Sequence, residues 1–157
     1  MGTEIVFFIK AIIFGLAAAI IIPKKLYKKY FIYGLIFGGL VDFVLVLMIG
    51  VIAGGVQYKN MGVFSVFDIT SFWTPISWML VQMIFLYLLP RKKLYFYPYV
   101  LSYGIFGYCV GLVLENFGLF KYRGVFRYLY PLVIIGWFYS VARLYMNEEK
   151  ITLERRN

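Results

Sequence analysis

The stretch from residue 31 to residue 55 is almost entirely apolar and carries a single charge near its middle, Asp42. At about 1.5 Å per residue, a helix of this stretch more than crosses a hydrocarbon core of roughly 30 Å. A carboxylate at that depth costs a few kcal/mol unless a neighbour relieves it. Gly34, Gly38 and Asp42 share one helix face because they are four residues apart, and the glycines let a neighbouring backbone approach. The stretch therefore predicts a transmembrane helix with a buried acidic side chain.

The composition places the whole chain in the same class. Of its 157 residues 63% are hydrophobic, whereas globular domains average about 45–50%. The net charge of +9 would suggest nucleic acid in a soluble protein. Here the lysines and arginines gather in short segments between apolar runs, where they act as topology signals. We therefore predict an integral membrane protein and no nucleic-acid partner.

Four further apolar runs accompany the central one. We predict an all-α bundle of five transmembrane helices within residues 1–147, with spans at about 5–22, 31–55, 72–89, 95–114 and 128–146, followed by a polar cytoplasmic tail at 148–157. The first run has a cleaved signal peptide as its alternative interpretation. Because lysines follow this run and none precede it, an uncleaved helix is favoured.

The distribution of positive charges predicts the orientation. Of the 16 lysines and arginines, eleven fall in the first and third inter-span segments, in the last turns of the final span and in the tail. Four fall in the second and fourth segments, and Lys10 lies within the first span. Positive residues concentrate on the cytoplasmic side. We therefore expect the N-terminus outside and the C-terminus inside.

Two charges within the spans form the candidate intramembrane site. Lys10 lies about six residues from the outer end of the first span, and Asp42 comes to a similar depth on the second. Consecutive helices joined by a short loop are usually neighbours, so we expect the two side chains to be close. Gln82 is expected at a comparable depth on the third span. The pair is either a structural ion pair that fixes helix packing or a site for a substrate, an ion or a proton.

A second set of polar residues is expected at the outer ends of the helices. We predict that these residues line a polar mouth above the pair: Asp68, Glu115, Asn116, Arg123 and Arg127. The alternative is that they only solubilise the ends of the loops.

The sequence lacks the usual catalytic signatures. It contains no histidine and one cysteine, Cys109, which removes the commonest general base near neutral pH and the common transition-metal ligand sets. No motif for a nucleophile with its base or for a phosphate-binding loop is present. We predict no catalytic, cofactor-binding or metal-binding residues, and no enzymatic activity.

Several marks together resemble an uncharacterised family of small multi-span membrane proteins from endospore-forming bacteria. They are Pro23-Lys24-Lys25 before the second span, Asp42 within it, Phe67-Asp68 followed by Pro75, and Glu115 followed by Gly118-Leu119 and Tyr122. The resemblance implies a multi-pass protein of the bacterial cytoplasmic membrane, and it implies no catalytic activity.

Two functions follow from these expectations. The first is a non-enzymatic subunit, scaffold or sensor that acts through helix contacts with a membrane protein partner or a second copy of the chain. The glycine faces and the absence of a soluble domain favour it. The alternative is a small carrier, or a protein that binds a lipid or another ligand, using Lys10 and Asp42. In both cases the lipid bilayer is the surrounding partner.

Overall fold

The computed structural model describes the backbone of residues 2–154 and the side chains of residues 2–150. This part of the chain is mostly helical, as predicted. It contains five helices: α1 Ile5–Ile21, α2 Lys24–Ile52, α3 Trp73–Tyr87, α4 Lys93–Asn116 and α5 Phe126–Glu154. Three helices are longer than expected, namely α2, α4 and α5. The α2 helix begins within the lysine-rich turn, and α5 continues into the predicted tail because no helix breaker follows Met146. The last three residues of that tail, 155–157, lie outside the described residues.

Three of the five helices are long and apolar enough to cross a membrane by length and composition, namely Lys24–Ile52, Lys93–Asn116 and Phe126–Lys150. The other two are shorter, with 17 residues in α1 and 15 in α3. The α3 helix lies at the centre of the bundle. It packs against both α1 and α2, and most of its side chains are buried.

The α2 helix packs on α3 through its glycines, as the spacing predicted. A Cβ at Gly38 would lie 2.5 Å from the backbone oxygen of Trp78, and one at Gly34 would lie 2.6 Å from that of Met79. The glycines of α4 are used in the same way. Gly104 and Gly107 face side chains of α5, and Gly111 faces Tyr122. Both glycine faces are therefore occupied inside the bundle.

The backbone of α2 departs from regular α-helix on both sides of Asp42. The helix is a π-helix at Leu35–Leu40 and again at Val46–Ile52, with a short α-helical piece, Val41–Leu45, between them. Segments of π-helix are rare and often occur at functional sites. Asp42 thus sits on the α-helical turn between two widened segments.

Short strands close the end of the bundle that the charge distribution predicts to lie outside, and outer and inner are used for the two ends in that sense. The β1 strand, Val56–Tyr58, pairs antiparallel with β4, Phe120–Tyr122, and so joins the segment after α2 to the segment after α4. The strands β2, Ser65–Val66, and β3, Thr70–Ser71, form a hairpin. Phe67 and Asp68 at its turn have φ of +54° and +57°, as in a type I′ turn. We call these four strands and the loops beside them, residues 56–71 and 118–123, the outer cap.

A polar cluster ties the opposite, inner end together. The Glu149 carboxylate accepts from Lys29 at 2.8 Å and from Arg91 at 3.3 Å. The Tyr145 hydroxyl donates to the same carboxylate at 2.8 Å and lies 3.2 Å from that of Tyr30. The cluster joins the start of α2, the turn before α4 and the end of α5.

We predict that Gly38→Ala destabilises the protein by roughly 1–3 kcal/mol, because the added methyl group must displace the α3 backbone. The free energy of unfolding can be measured in mixed micelles. Gly136→Ala on α5 is the matched control, since its Cβ would meet nothing within 4 Å. Equal destabilisation by the two variants would contradict the packing of α2 on α3.

Candidate functional site

The structure brings Lys10 and Asp42 together. Their side chains, on α1 and α2, interact electrostatically, although α1 packs mainly on α3 and not on α2 as expected for consecutive helices. They do not form a direct ion pair, because no nitrogen–oxygen distance between them reaches 4.0 Å or less. Instead, the Lys10 ammonium lies 5.8 Å from the centre of the Phe7 ring, one turn toward the outer end. The two charges therefore influence each other electrostatically without direct contact between the ammonium and the carboxylate.

The Asp42 side chain is buried, but its carboxylate lacks part of its hydrogen bonding. It is 3% exposed, and its Oδ2 atom has no hydrogen-bond partner among the residues that the structure describes. A cavity of about 10 Å³ adjoins it, between α2, β1 and α5, with Val46, Val56 and Tyr130 in its wall. A space of this size holds about one water molecule. The carboxylate therefore adjoins a small space, lined mostly by apolar side chains, that has room for about one water molecule.

Two tyrosines from other elements approach the carboxylate. Tyr58 on β1 and Tyr130 on α5 both interact electrostatically with Asp42, and the Tyr58 phenol also lies close to Thr74 on α3. Burial, followed by the negative charge of Asp42, raises the pKa of the Tyr58 phenol well above its usual value. Tyr58 therefore keeps its proton and offers an O–H donor to the site.

The first turns of α3 and the strand before it supply buried hydroxyl groups. Thr70, Ser71 and Thr74 are fully buried, and the hydroxyls of Thr70 and Ser71 have no hydrogen-bond partner. The Ser77 hydroxyl donates to the backbone oxygen of Trp73 at 2.7 Å. These residues were missed in the sequence. The sequence feature that could have indicated them is the recurrence of Ser and Thr at helical spacing at the start of an apolar run.

A larger polar pocket lies above the Asp42 cavity. It measures about 180 Å³, and its wall includes Asp68 and Arg123 of the outer cap. Val46 and Val56 line both this pocket and the Asp42 cavity. Each valine is at most 5% exposed, so the two side chains form a thin apolar layer between the outer pocket and the carboxylate.

The predicted mouth residues divide into two groups. Asp68 and Arg123 line the outer pocket, where Asp68 accepts from the Ser65 hydroxyl at 2.9 Å. Glu115 instead pairs with Arg127 at 3.1 Å, between α4 and the start of α5. Asn116 ends α4 beside that pair and is exposed.

Gln82 is fully buried, and its side-chain atoms have no hydrogen-bond partner. It lies eight residues inward from Thr74 on α3, roughly 12 Å along the axis. Its neighbours Met79 and Met83 contact Gly34 on α2, two turns inward from Asp42. The sequence predicted a comparable depth because both residues lie near the middle of their spans. The ends are not level, however, because α2 extends beyond the start of α3 into the outer cap.

The described residues bring together no group of three His, Cys, Asp or Glu side chains that would hold a metal ion. Comparison with protein-family models, with curated proteins and with solved structures finds no match for this sequence. The resemblance to the family from endospore-forming bacteria therefore stays a prediction, and the function has to be argued from the site itself.

We predict that Lys10→Met and Asp42→Leu, made together, leave the protein more stable than either substitution alone. Each single change leaves an uncompensated charge in the bundle, at a cost of about 3 kcal/mol or more, whereas the double variant leaves none. The free energies of unfolding of the four proteins test this. Additive losses would show that the two charges are not coupled.

Proposed function

We propose that the protein crosses a bacterial cytoplasmic membrane five times, with its N-terminus outside and its C-terminus inside. Two observations support this topology. The β1–β4 pairing joins the segments after α2 and α4 at one end. The Glu149 cluster joins the start of α2, the turn before α4 and the end of α5 at the other end. Alternate crossings by five helices produce this grouping, and the positive charges favour the Glu149 end as cytoplasmic.

Within that topology, we propose that the protein is a small carrier or ligand-binding protein that uses Asp42 as a proton site reached from the outer face. The proposal depends on one observation, the unpartnered Asp42 oxygen beside a cavity of one-water size. Ionisable groups within membrane spans typically mark substrate, ion or proton sites. A purely structural carboxylate would be expected to satisfy both of its oxygens.

A proton suits this site better than a metal cation. The cavity of about 10 Å³ leaves no room for a hydrated ion, and Lys10 already supplies a positive charge nearby. A second cation would be repelled by that charge, whereas a proton neutralises the carboxylate covalently. Tyr58, which interacts electrostatically with the carboxylate, carries a hydroxyl that can take part in a proton path completed by water.

The route to Asp42 leads through the outer pocket. Val46 and Val56 separate this pocket from the Asp42 cavity. Val46 is the first residue of the second π-helical segment, so a change of that segment toward regular α-helix would move its side chain. We therefore assign the outer gate to this valine pair.

The subunit or scaffold function was favoured mainly by the glycine faces. These faces pack inside the bundle, so they are not available to a partner protein. One observation still favours it as the second candidate. Val63 and Phe67 on the outer cap are 90% and 84% exposed. A partner membrane protein, or a second copy of the chain, would bury them.

The topology makes a direct prediction. A phosphatase reporter fused after Asn157, which is active only outside the membrane, is expected to be inactive. A reporter that fluoresces only in the cytoplasm is expected to be bright at the same position. An active phosphatase at this position would overturn the five-span orientation.

The proton site predicts a specific loss in Asp42→Asn, which keeps the shape of the side chain and cannot ionise. Proteoliposomes made with lipids from the source membrane, loaded with a pH-sensitive dye, receive an acid pulse outside. We expect the wild-type protein to acidify the interior several-fold faster than Asp42→Asn, which should match empty vesicles.

Glu115→Gln is the matched control, because it makes the same chemical change on the outer surface, away from the pocket. It is expected to behave as wild type. A folded Asp42→Asn protein that acidifies the interior as fast as wild type would refute the proton site.

A further inference from the structure

The outer pocket carries one side chain of each charge in its wall. Asp68, at the turn of the β2–β3 hairpin, and Arg123, directly after β4, both line this cavity of about 180 Å³, and its wall is mostly polar. The two side chains form no ion pair with each other, since the three ion pairs in the described part of the chain involve other residues. Two opposite charges therefore share one pocket without direct contact.

Hydrogen bonds of the outer cap hold both charged residues in place. Asp68 has a φ of +57°, and its carboxylate accepts from the Ser65 hydroxyl at 2.9 Å. The backbone N–H of Arg123 donates to the Gly55 oxygen at 2.8 Å, and its guanidinium donates to the side chain of Gln57. Among the described residues, these bonds leave one carboxylate oxygen and several guanidinium N–H groups without a partner. Both side chains can therefore bind a ligand as well.

A ligand that carries both charges matches this wall better than a simple ion of either sign. An anion drawn to Arg123 would also meet the carboxylate of Asp68, and a cation drawn to Asp68 would meet the guanidinium. A compact zwitterion offers an ammonium group to Asp68 and a carboxylate to Arg123. Arginine recognises a carboxylate through two parallel hydrogen bonds. Charge complementarity therefore favours a zwitterion.

The size of the pocket limits this zwitterion to a small molecule. Because water takes up about 30 Å³ per molecule in the liquid, a volume of about 180 Å³ corresponds to roughly six non-hydrogen atoms. The apolar part of the wall includes Val51 and Ile69, which can contact a short aliphatic side chain. Glycine and alanine have the size and the pair of charges that the pocket requires.

We propose that the outer pocket binds a small amino acid in its zwitterionic form, with the carboxylate on Arg123 and the ammonium group on Asp68. This inference deepens the proposed function, on which it rests, by naming the class of substrate that accompanies the proton.

The outer pocket and the proton site share a wall, which connects the two ligands. Val46 and Val56 line both cavities, and Tyr58 lines the outer pocket while it interacts electrostatically with Asp42. A zwitterion has no net charge, so its passage together with one proton on Asp42 moves one positive charge across the membrane. Uptake by this route would therefore be driven by an acidic exterior and by a negative interior potential.

The test uses alanine and glycine as probes, together with two analogues of alanine that each lack one charge. Lactate has a hydroxyl group in place of the ammonium group, and isopropylamine lacks the carboxylate. Affinities are measured by isothermal titration calorimetry of the protein in lipid nanodiscs. We expect each analogue to bind at least about tenfold more weakly than alanine, because it loses one contact between charged groups. This comparison uses the wild-type protein, so it does not depend on the folding of a variant.

Arg123→Gln and Asp68→Asn each remove one charge from the pocket and are expected to weaken alanine binding at least about tenfold. Arg127→Gln and Glu115→Gln are the matched controls, because they make the corresponding changes in an ion pair between α4 and α5. Both controls should bind alanine as the wild type does. Val51→Trp, which narrows the pocket without changing a charge, should abolish binding.

Three results would overturn the inference. They are the failure of both alanine and glycine to bind, equal affinities for alanine and either analogue, and the same loss in Arg127→Gln as in Arg123→Gln. Failure of this inference is distinguishable from failure of the proton site. Asp42-dependent acidification without amino-acid binding would refute the pocket ligand alone. Arg123-dependent alanine binding without that acidification, whether or not alanine is present, would refute the proton site alone.

Discussion

The burial of one carboxylate within an apolar bundle governs how the surrounding elements are arranged. Asp42 is nearly inaccessible, and an unrelieved charge there would cost several kcal/mol. The positive charge of Lys10 on α1 relieves part of that cost. Tyr130 on α5 and Tyr58 on the outer cap lie within electrostatic reach of the carboxylate as uncharged phenols. The Oδ2 atom has no hydrogen-bond partner among the described residues.

The helix packing explains how such a site stays enclosed near the outer end. The glycines of α2 bring this helix against α3, so that the Asp42 turn lies level with the first turn of α3. Above that level the outer cap covers α2 through Val56 and Tyr58. If the proposed gate exists, we expect the π-helical segment that begins at Val46 to be the part of α2 that moves.

The sequence predicted the parts of this arrangement that depend on local pattern and depth. The helical class, the glycine face of α2 and the proximity of Lys10 to Asp42 all follow from apolar length and four-residue spacing. The sequence did not predict where three buried side chains lie relative to Asp42, because their positions depend on how far each helix is shifted along its neighbour. These residues are Gln82, Tyr58 and Tyr130. The pairing of β1 with β4 joins segments more than 60 residues apart, and the Glu149 cluster joins residues 58 and 120 positions away from Glu149. No local pattern encodes either of them.

If Asp42 exchanges a proton with the outer medium, infrared difference spectroscopy of the protein in lipid will detect that exchange at the carboxyl group itself. The spectrum is recorded while the pH is stepped, in H₂O and in D₂O, for the wild type and for Asp42→Asn. We expect a protonated carboxyl band that appears on acidification, shifts promptly in D₂O and is absent from Asp42→Asn. A carboxyl signal of Asp42 that neither responds to pH nor exchanges with D₂O would rule out the proton site, because the carboxylate would then be a sealed structural charge.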